Sequence, residues 1–427
     1  MTASTRDSVD TRLFLRLTPK TPTRKTEAWG THYKGSHQRG PGSHLLETLP
    51  KLKGRTREGV FDCRDVLLSV ARSKSTGMDR AAMDHPPIDQ PQVERPKILV
   101  THRLFEEPRA KLGEYFDAEV WSDSDRPQRS EVLRRVADKD GLVCLLTEKI
   151  DDELLAAAPR LRIVANVAVG FDNIDVAACT RRKVAVTNTP GVLDETTADF
   201  AWTLLMAVAR RLIEGDALAR SGGWRGWNLD QLCGADVWGK TLGLIGFGRI
   251  GRAVARRASG FGMRVLYSDR TRAPREIEDQ FRAEYAERDE LLRQADFVSL
   301  HVPLLADTHG LIGPHELAVM KPTAFLINTS RGPVVQEAAL VTALEKKQIA
   351  GAALDVFERE PQISHGLLRP NVVLAPHLAS ATVETRTRMA MMAVENVMAF
   401  FAGRRPPNLV NPEVWPQVSD ATAAPAT

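Results

Sequence analysis

A chain of 427 residues is long for one hydrophobic core, and its 43% apolar and 26% charged content is that of a globular protein, so two domains with tails are expected. It has no run of 18 apolar residues, so no helical membrane span is expected. The net charge of +4 is uneven. Residues 1–95 hold 17 Lys and Arg against 11 Asp and Glu, and the remainder 41 against 43, so beyond residue 95 charge offers no argument for a nucleic-acid partner.

Residues 1–95 read as a disordered extension. TPKTPTRKTE, GSHQRGPGSH and MDHPPIDQPQVERP are rich in Pro, Gly, Ser, Thr and charge, with only short apolar pieces such as VLLSV (66–70) among them. Such a stretch cannot bury enough apolar surface to offset its ordering entropy. It lacks the apolar run of a cleavable signal, and its acidic residues argue against an organellar transit peptide. Met78 and Met83 are alternative starts, an expectation that N-terminal sequencing of the native protein would overturn by finding Met1 or Thr2. Cys63, Cys144, Cys179 and Cys233 lie far apart with no CxxC spacing, so neither a metal site nor a disulfide framework is expected, and a reducing cytoplasm fits.

Order begins with KILVT (97–101). GLVCLL (141–146), RIVANVAV (162–169) and VAVTNTP (184–190) read as strands, separated by the helical patterns DDELLAAAP and NIDVAACTRR. TTADFAWTLLMAVARRLIEGDALARSG (196–222) reads as one long helix with a Gly stop. A second series starts at KTLGLIGFG and continues through strands MRVLYS (263–268), DFVSLHV (296–302), TAFLINTS (323–330) and GAALDVF (351–357). A last helix spans ETRTRMAMMAVENVMAFFAG (384–403), and residues 413–427 read as a flexible tail. Strands alternating with helices imply βαβ units and parallel sheets, here in two successive series.

LGLIGFGRIG carries Gly246, Gly248 and Gly251, with Arg249 and Ile250 among them as cofactor-binding candidates, between an apolar strand (Thr241–Ile245) and the helical pattern RAVARRAS. GxGxxG alone is a weak signal, but this strand–turn–helix context is the one a dinucleotide needs. The first Gly makes the turn, the second admits the pyrophosphate, and the third lets the helix pack on the strand. The helix N-terminus then offers N–H groups to the phosphates. Asp269, 18 residues beyond Gly251, is placed for the ribose 2′-hydroxyl and favours NAD(H). Arg270 and Arg272 are cations where a 2′-phosphate would sit, so NADP(H) stays open.

DVFEREP (355–361) concentrates Asp355, Glu358 and Glu360 in seven positions. Together with VAVGFDNID (167–175), INTSRG (327–332), APHLAS (375–380), TNTPGVLDETTADFA (187–201) and LHVPL (300–304), in this order around GFGRIG, it resembles the D-isomer-specific 2-hydroxyacid dehydrogenase family over roughly residues 97–412. LLTEKID (145–151), GGWRGW (222–227) and the RTR at 270–272 look most like glyoxylate/hydroxypyruvate reductases within it. The resemblance implies His377 as general acid/base, Glu360 as its carboxylate partner and Arg331 as the substrate-binding cation. It also implies Val169 and Gly170 N–H groups on the substrate carboxylate, with Thr197, Val302, Pro303, Thr329 and Asp355 near the cofactor. Glu358 is then a solvated loop carboxylate.

These residue types suit reduction of a 2-keto acid, which needs a hydride and a proton on the developing alkoxide. A His titrates near neutral pH, and a carboxylate beside it orients the ring and favours its charged form. An Arg can meet the substrate carboxylate as a fork. Two departures stand out: Ala379 replaces the common Gly of PHxG, which would be strained if φ were positive there, and LDET replaces a more usual LTDAT at 193–197.

The implied fold is α/β: two Rossmann-like or flavodoxin-like parallel-sheet domains with an interdomain cleft. A discontinuous substrate domain (97–193 and 376–410) would embrace a cofactor domain (194–375). A homodimer through the cofactor domain is expected, with Trp224 and Trp227 in the arm-like segment 222–237 packing either on a partner or in the core. A phosphoglycerate dehydrogenase and an NAD-sensing co-repressor scaffold are the rival readings. The former commonly carries an added regulatory domain, and the latter leans only on the basic first 95 residues.

Overall fold

The computed structural model describes residues 94–123 and 125–415, so all but the last two residues of the extension expected over 1–95, and most of the expected tail, lie outside the described residues. A first sheet consists of β1 (Lys97–Val100), β2 (Asp117–Val120), β3 (Gly141–Cys144), β4 (Ile163–Asn166) and β5 (Ala185–Thr187), in the order β2-β1-β3-β4-β5. A second consists of β6 (Thr241–Ile245), β7 (Arg264–Ser268), β8 (Ala283–Tyr285), β9 (Phe297–Leu300), β10 (Phe325–Asn328), β11 (Gly351–Leu354) and β12 (Val372–Leu374), in the order β12-β11-β10-β9-β6-β7-β8. Every neighbouring pair is parallel. The first order is that of flavodoxin-like sheets, and the second is the Rossmann order with one strand added.

The sequence explains why both sheets are sandwiched. β3, β4, β9, β10 and β11 are buried at every residue, and their apolar runs need helices on both faces. In the first domain, α1 (Glu106–Tyr115) and the long α12 (Val383–Phe401) cover one face through Leu112, Met389, Val394 and Phe400. Helices α2 (Arg129–Arg135), α3 (Asp152–Ala157) and α4 (Val176–Arg181) cover the other. Asp151 and Asp175 start α3 and α4 by accepting the N–H groups of Leu154 and Ala178. In the second domain, α5 (Asp194–Ala209), α7 (Arg249–Ala258) and α8 (Arg275–Phe281) pack on one face. Helices α9 (Arg288–Gln294), α10 (Pro314–Val319) and α11 (Glu337–Glu345) pack on the opposite face. The edge strands β2, β8 and β12 escape a sequence reading because each is only three or four residues long and partly exposed.

Two expectations need correction. The long helix read over 196–222 is two helices, α5 and α6 (Leu212–Arg220), broken at Arg211, whose φ is +50°. The cause lies elsewhere in the chain: the Ala209 carbonyl accepts from Ala235 N–H at 2.8 Å, which takes it out of the helical ladder. Residues 413–415, read as tail, belong to the fold. Val414 is buried, and Trp415 meets Phe400 edge-on with ring centroids 6.2 Å apart.

The chain crosses between the sheets twice, entering α5 and entering α12. The first turns of these helices touch where Thr196 and Thr385 share a hydroxyl hydrogen bond of 2.6 Å. Ala379 does not have a positive φ, so the strain considered for it is absent; the left-handed residue of that loop is His377, at φ +56°.

Candidate active site

The loops leaving the carboxyl ends of strands in both sheets line one cleft of about 950 Å³. This is where ligands bind on open parallel sheets. The cleft gathers Val169, Gly170, Thr197, Arg249, Ile250, Val302, Pro303, Thr329, Arg331, Glu360 and His377. An adjoining cavity of about 590 Å³ carries Gly246, Gly248, Asp269 and Arg270 and shares Val302 and Pro303 with the first. Gly251, buried in the first turn of α7, lines neither cavity, and Asp355 is shut out of both.

His377 Nδ1 lies 3.0 Å from Glu360 Oε2. The other Glu360 oxygen accepts the Phe357 N–H at 3.1 Å. Burial pushes the Glu360 carboxyl up, but the His377 hydrogen bond and charge, the Phe357 N–H and the nearby Arg331 outweigh it and leave it below its ordinary value. Two other histidines line the cleft, His102 and His301. Burial pushes both down to about 4, and among the described residues neither has a carboxylate partner. Both are therefore neutral near pH 7, which leaves His377 as the cleft histidine paired with an acid.

Asp355, expected near the cofactor, lines neither cavity. Its side chain has no exposure, and its two oxygens accept the N–H groups of Leu378 (2.6 Å) and Ala379 (2.9 Å). Its carbonyl also accepts the His377 N–H at 2.9 Å. These bonds hold residues 377–379 in the turn that presents the imidazole, and the carboxylate lines neither cavity.

Arg331 leaves β10 and reaches the first domain. Its Nε donates to Asp172 Oδ1 at 3.0 Å and its Nη1 to the Ser330 carbonyl at 2.8 Å. Its Nη2 lies where a Cβ on Gly170 would be, 2.0 Å from that position, so only glycine admits the guanidinium so closely. Behind it, the carbonyls of Val169 and Gly170 accept from Asn188 and Asn166, each at 2.8 Å. Among the described residues, the Val169 and Gly170 N–H groups donate to no protein acceptor. Two open N–H groups beside a guanidinium form an anion-binding concavity.

The glycine turn has the geometry that a dinucleotide requires. Gly246 has φ +95°, and a Cβ on Gly251 would lie 2.2 Å from the Gly246 carbonyl oxygen. Nothing lies within 4 Å of a Cβ built on Gly248, which leaves that approach open. The Thr329 hydroxyl in the cleft wall is buried without a partner, a donor available to a polar ligand. These features fit a nicotinamide dinucleotide. At the far end, Asp269 accepts from the Phe247 and Arg270 N–H groups, each at 2.7 Å. Arg270 borders the same cavity, 3.6 Å from Asp307. Arg272 does not border it: Glu278 holds its guanidinium at 2.8 and 2.9 Å.

Sequence reasoning missed two members of the cleft. Asp172 lies within VGFDNID, but its partner Arg331 is 159 residues away, and no local signal joins them. Asp194, noted only as an irregular residue of LDET, accepts from Arg249 Nε at 2.6 Å. Arg249 is the residue that follows the second glycine of the turn.

Comparison with known proteins agrees with this geometry. The NAD binding domain of the D-isomer specific 2-hydroxyacid dehydrogenases matches residues 202–379. A glyoxylate reductase of Korarchaeum cryptofilum is 53% identical over 321 residues, covering 74% of this chain and 96% of that protein. One of Thermococcus gammatolerans is 52% identical over 323 residues, covering 74% and 96%. Among solved structures, an NADPH-dependent glyoxylate/hydroxypyruvate reductase of Sinorhizobium meliloti, in complex with NADP and malonate, is 37% identical with a TM-score of 0.67. That match covers 75% of this chain and 98% of the other.

Proposed function

The chain belongs to the D-isomer specific 2-hydroxyacid dehydrogenase family, and from that premise we propose that it reduces a small 2-keto acid, glyoxylate or hydroxypyruvate, to the 2-hydroxy acid. The observation that carries this reading is the single cleft in which the His377–Glu360 pair, Arg331 and the open N–H groups of Val169 and Gly170 meet. The first domain takes the substrate and the second the cofactor. Gly246–Gly251 would hold the pyrophosphate of a nicotinamide dinucleotide, which in its reduced form would supply the hydride. Val169, Gly170 and Arg331 bind the substrate carboxylate and direct its carbonyl towards His377. His377 Nε2 then gives a proton to the developing alkoxide, while Glu360 on Nδ1 fixes the ring and balances its charge. Asp355 holds the loop from which the ring projects.

NAD(H) is the preferred cofactor in this reading. The carboxylates of Asp269, Glu287, Asp289 and Asp307 border the second cavity and would repel a 2′-phosphate. Arg272, one of the two cations that argued for NADP(H), is committed to Glu278. The protein acts as a homodimer in the cytoplasm. Trp224, Trp227, Leu229 and Trp238 are 59 to 81% exposed, Leu212 and Ile213 of α6 are exposed as well, and apolar side chains left open in this number suit a partner subunit.

The test is loss of absorbance at 340 nm with purified protein and NADH or NADPH, against glyoxylate, hydroxypyruvate and pyruvate. Rapid turnover of glyoxylate or hydroxypyruvate with NADH is expected. Cofactor binding without turnover of any keto acid would overturn the reading.

A further inference from the structure

We propose that Asp172 is a positioning residue for Arg331, acting across the cleft, an inference that rests on the substrate role of Arg331 given above. The pair joins the two domains: Asp172 follows β4 in the first and Arg331 follows β10 in the second. A guanidinium has five N–H donors in one plane. Asp172 takes Nε–H and the Ser330 carbonyl takes one hydrogen of Nη1. The plane is thereby fixed at two points; among the described residues nothing takes the three remaining hydrogens, all on the terminal nitrogens, and Nη2 lies beside Gly170.

Asp172 can fix Arg331 because its own loop is rigid. Asn166 holds the Gly170 carbonyl, Asn188 holds that of Val169, and Asn173 Nδ2 donates to the carbonyls of Leu145 and Glu148 at 3.2 and 2.9 Å. The loop that offers N–H groups to a substrate carboxylate thus also anchors the cation that must meet the same carboxylate. Asp172 donates or accepts no other hydrogen bond among the described residues, so its side chain has no evident part in holding its own domain together. Its carboxylate sits on the Nε edge rather than at the terminal nitrogens, so it orients Arg331 without occupying the face left for substrate. Cleft closure and assembly of the anion site are then one event, since Arg331 is oriented only when the domains stand in this relation.

The experiment compares wild type, Asp172→Ala and Asp172→Asn for glyoxylate KM and kcat, for inhibition by oxalate at saturating NADH, and for NADH affinity by fluorescence. Asp172→Ala should raise KM for glyoxylate and weaken oxalate by about tenfold or more, the scale of a lost hydrogen bond to a charged group. NADH affinity and melting temperature should hold. Asp172→Asn, whose amide oxygen can still accept from Nε, should return to within about threefold of wild type. Unchanged or tighter oxalate binding by Asp172→Ala, or an Asn variant as impaired as the Ala variant, overturns the proposal. If wild type itself reduces no keto acid, the functional reading fails separately, and calorimetric oxalate binding to the NADH-loaded proteins still tests Asp172.

Discussion

His377 and Glu360 face each other at 3.0 Å, although 17 residues and the edge strand β12 separate them in the chain. Asp355 bridges that gap by holding the backbone of residues 377–379 from the end of β11. The His377–Glu360 pair is therefore assembled by a third carboxylate that does not reach the cleft.

Replacing His377 by Ala should lower kcat by at least about 100-fold, the usual contribution of a general acid. Glu360→Gln should lower it by about tenfold or more, because the ring loses its charged partner. Steady-state kinetics with NADH fixed and saturating measures both. Near-normal turnover by the Ala variant would remove His377 from the mechanism.

Asp355→Asn places an NH₂ donor against the N–H of Leu378 or Ala379. We expect kcat to fall by about tenfold or more while the dissociation constant for NADH is unchanged, since the side chain touches the His377 loop and not the cleft. Fluorescence titration with NADH reads the second quantity. A weakened NADH complex with normal kcat would return Asp355 to the nicotinamide.

Cofactor choice should follow Asp269 and Arg270 rather than Arg272. Asp269→Ala should lower the ratio of kcat/KM for NADH over NADPH by about tenfold or more, through loss of the ribose contact and of the repulsion towards a 2′-phosphate. Arg272→Ala should leave the ratio unchanged, because Glu278 and not the cavity holds that guanidinium.

The buried Glu278 gives a pH signature. Hydrogen bonds from Arg272 and from the Tyr267 hydroxyl hold its carboxyl down to about 2. An unfolded Glu titrates near ~4.3, so the folded state binds this proton less readily. Stability from Glu278 is present above that value and is lost as pH falls through about 2. Melting temperatures taken from pH 5 downwards should therefore fall less steeply for Glu278→Gln than for wild type.

Trp224→Glu combined with Trp227→Glu should shift the sedimentation of the protein from dimer to monomer. Both side chains are exposed, so the fold has no need of them. A wild-type monomer, or an unchanged dimer in the double variant, would move the interface elsewhere.

What the sequence determined by itself was whatever a short stretch carries alone. Apolar runs alternating with helical patterns specify parallel strands sandwiched by helices. The GFGRIG turn specifies a phosphate-binding strand–helix junction, because Gly246 takes a positive φ and Gly251 abuts the Gly246 carbonyl within the same six residues. The order of motifs pointed to His377, Glu360 and Arg331, and the fold brings them into one cleft.

Tertiary structure decided the rest, because hydrogen-bonding capacity is spent wherever folding brings a partner. Asp355 and Asp269 look alike in sequence and each accepts two backbone N–H groups, yet one is fully buried and the other borders a cavity. Arg270 and Arg272 are two residues apart, and only Arg272 meets a buried glutamate. The 196–222 segment keeps a helical pattern throughout, but it breaks at Arg211 because Ala235, from a distant loop, takes the Ala209 carbonyl. Asp172 and Arg331 carry no mark of each other across 159 residues; their pairing exists only once both sheets are folded and face one cleft.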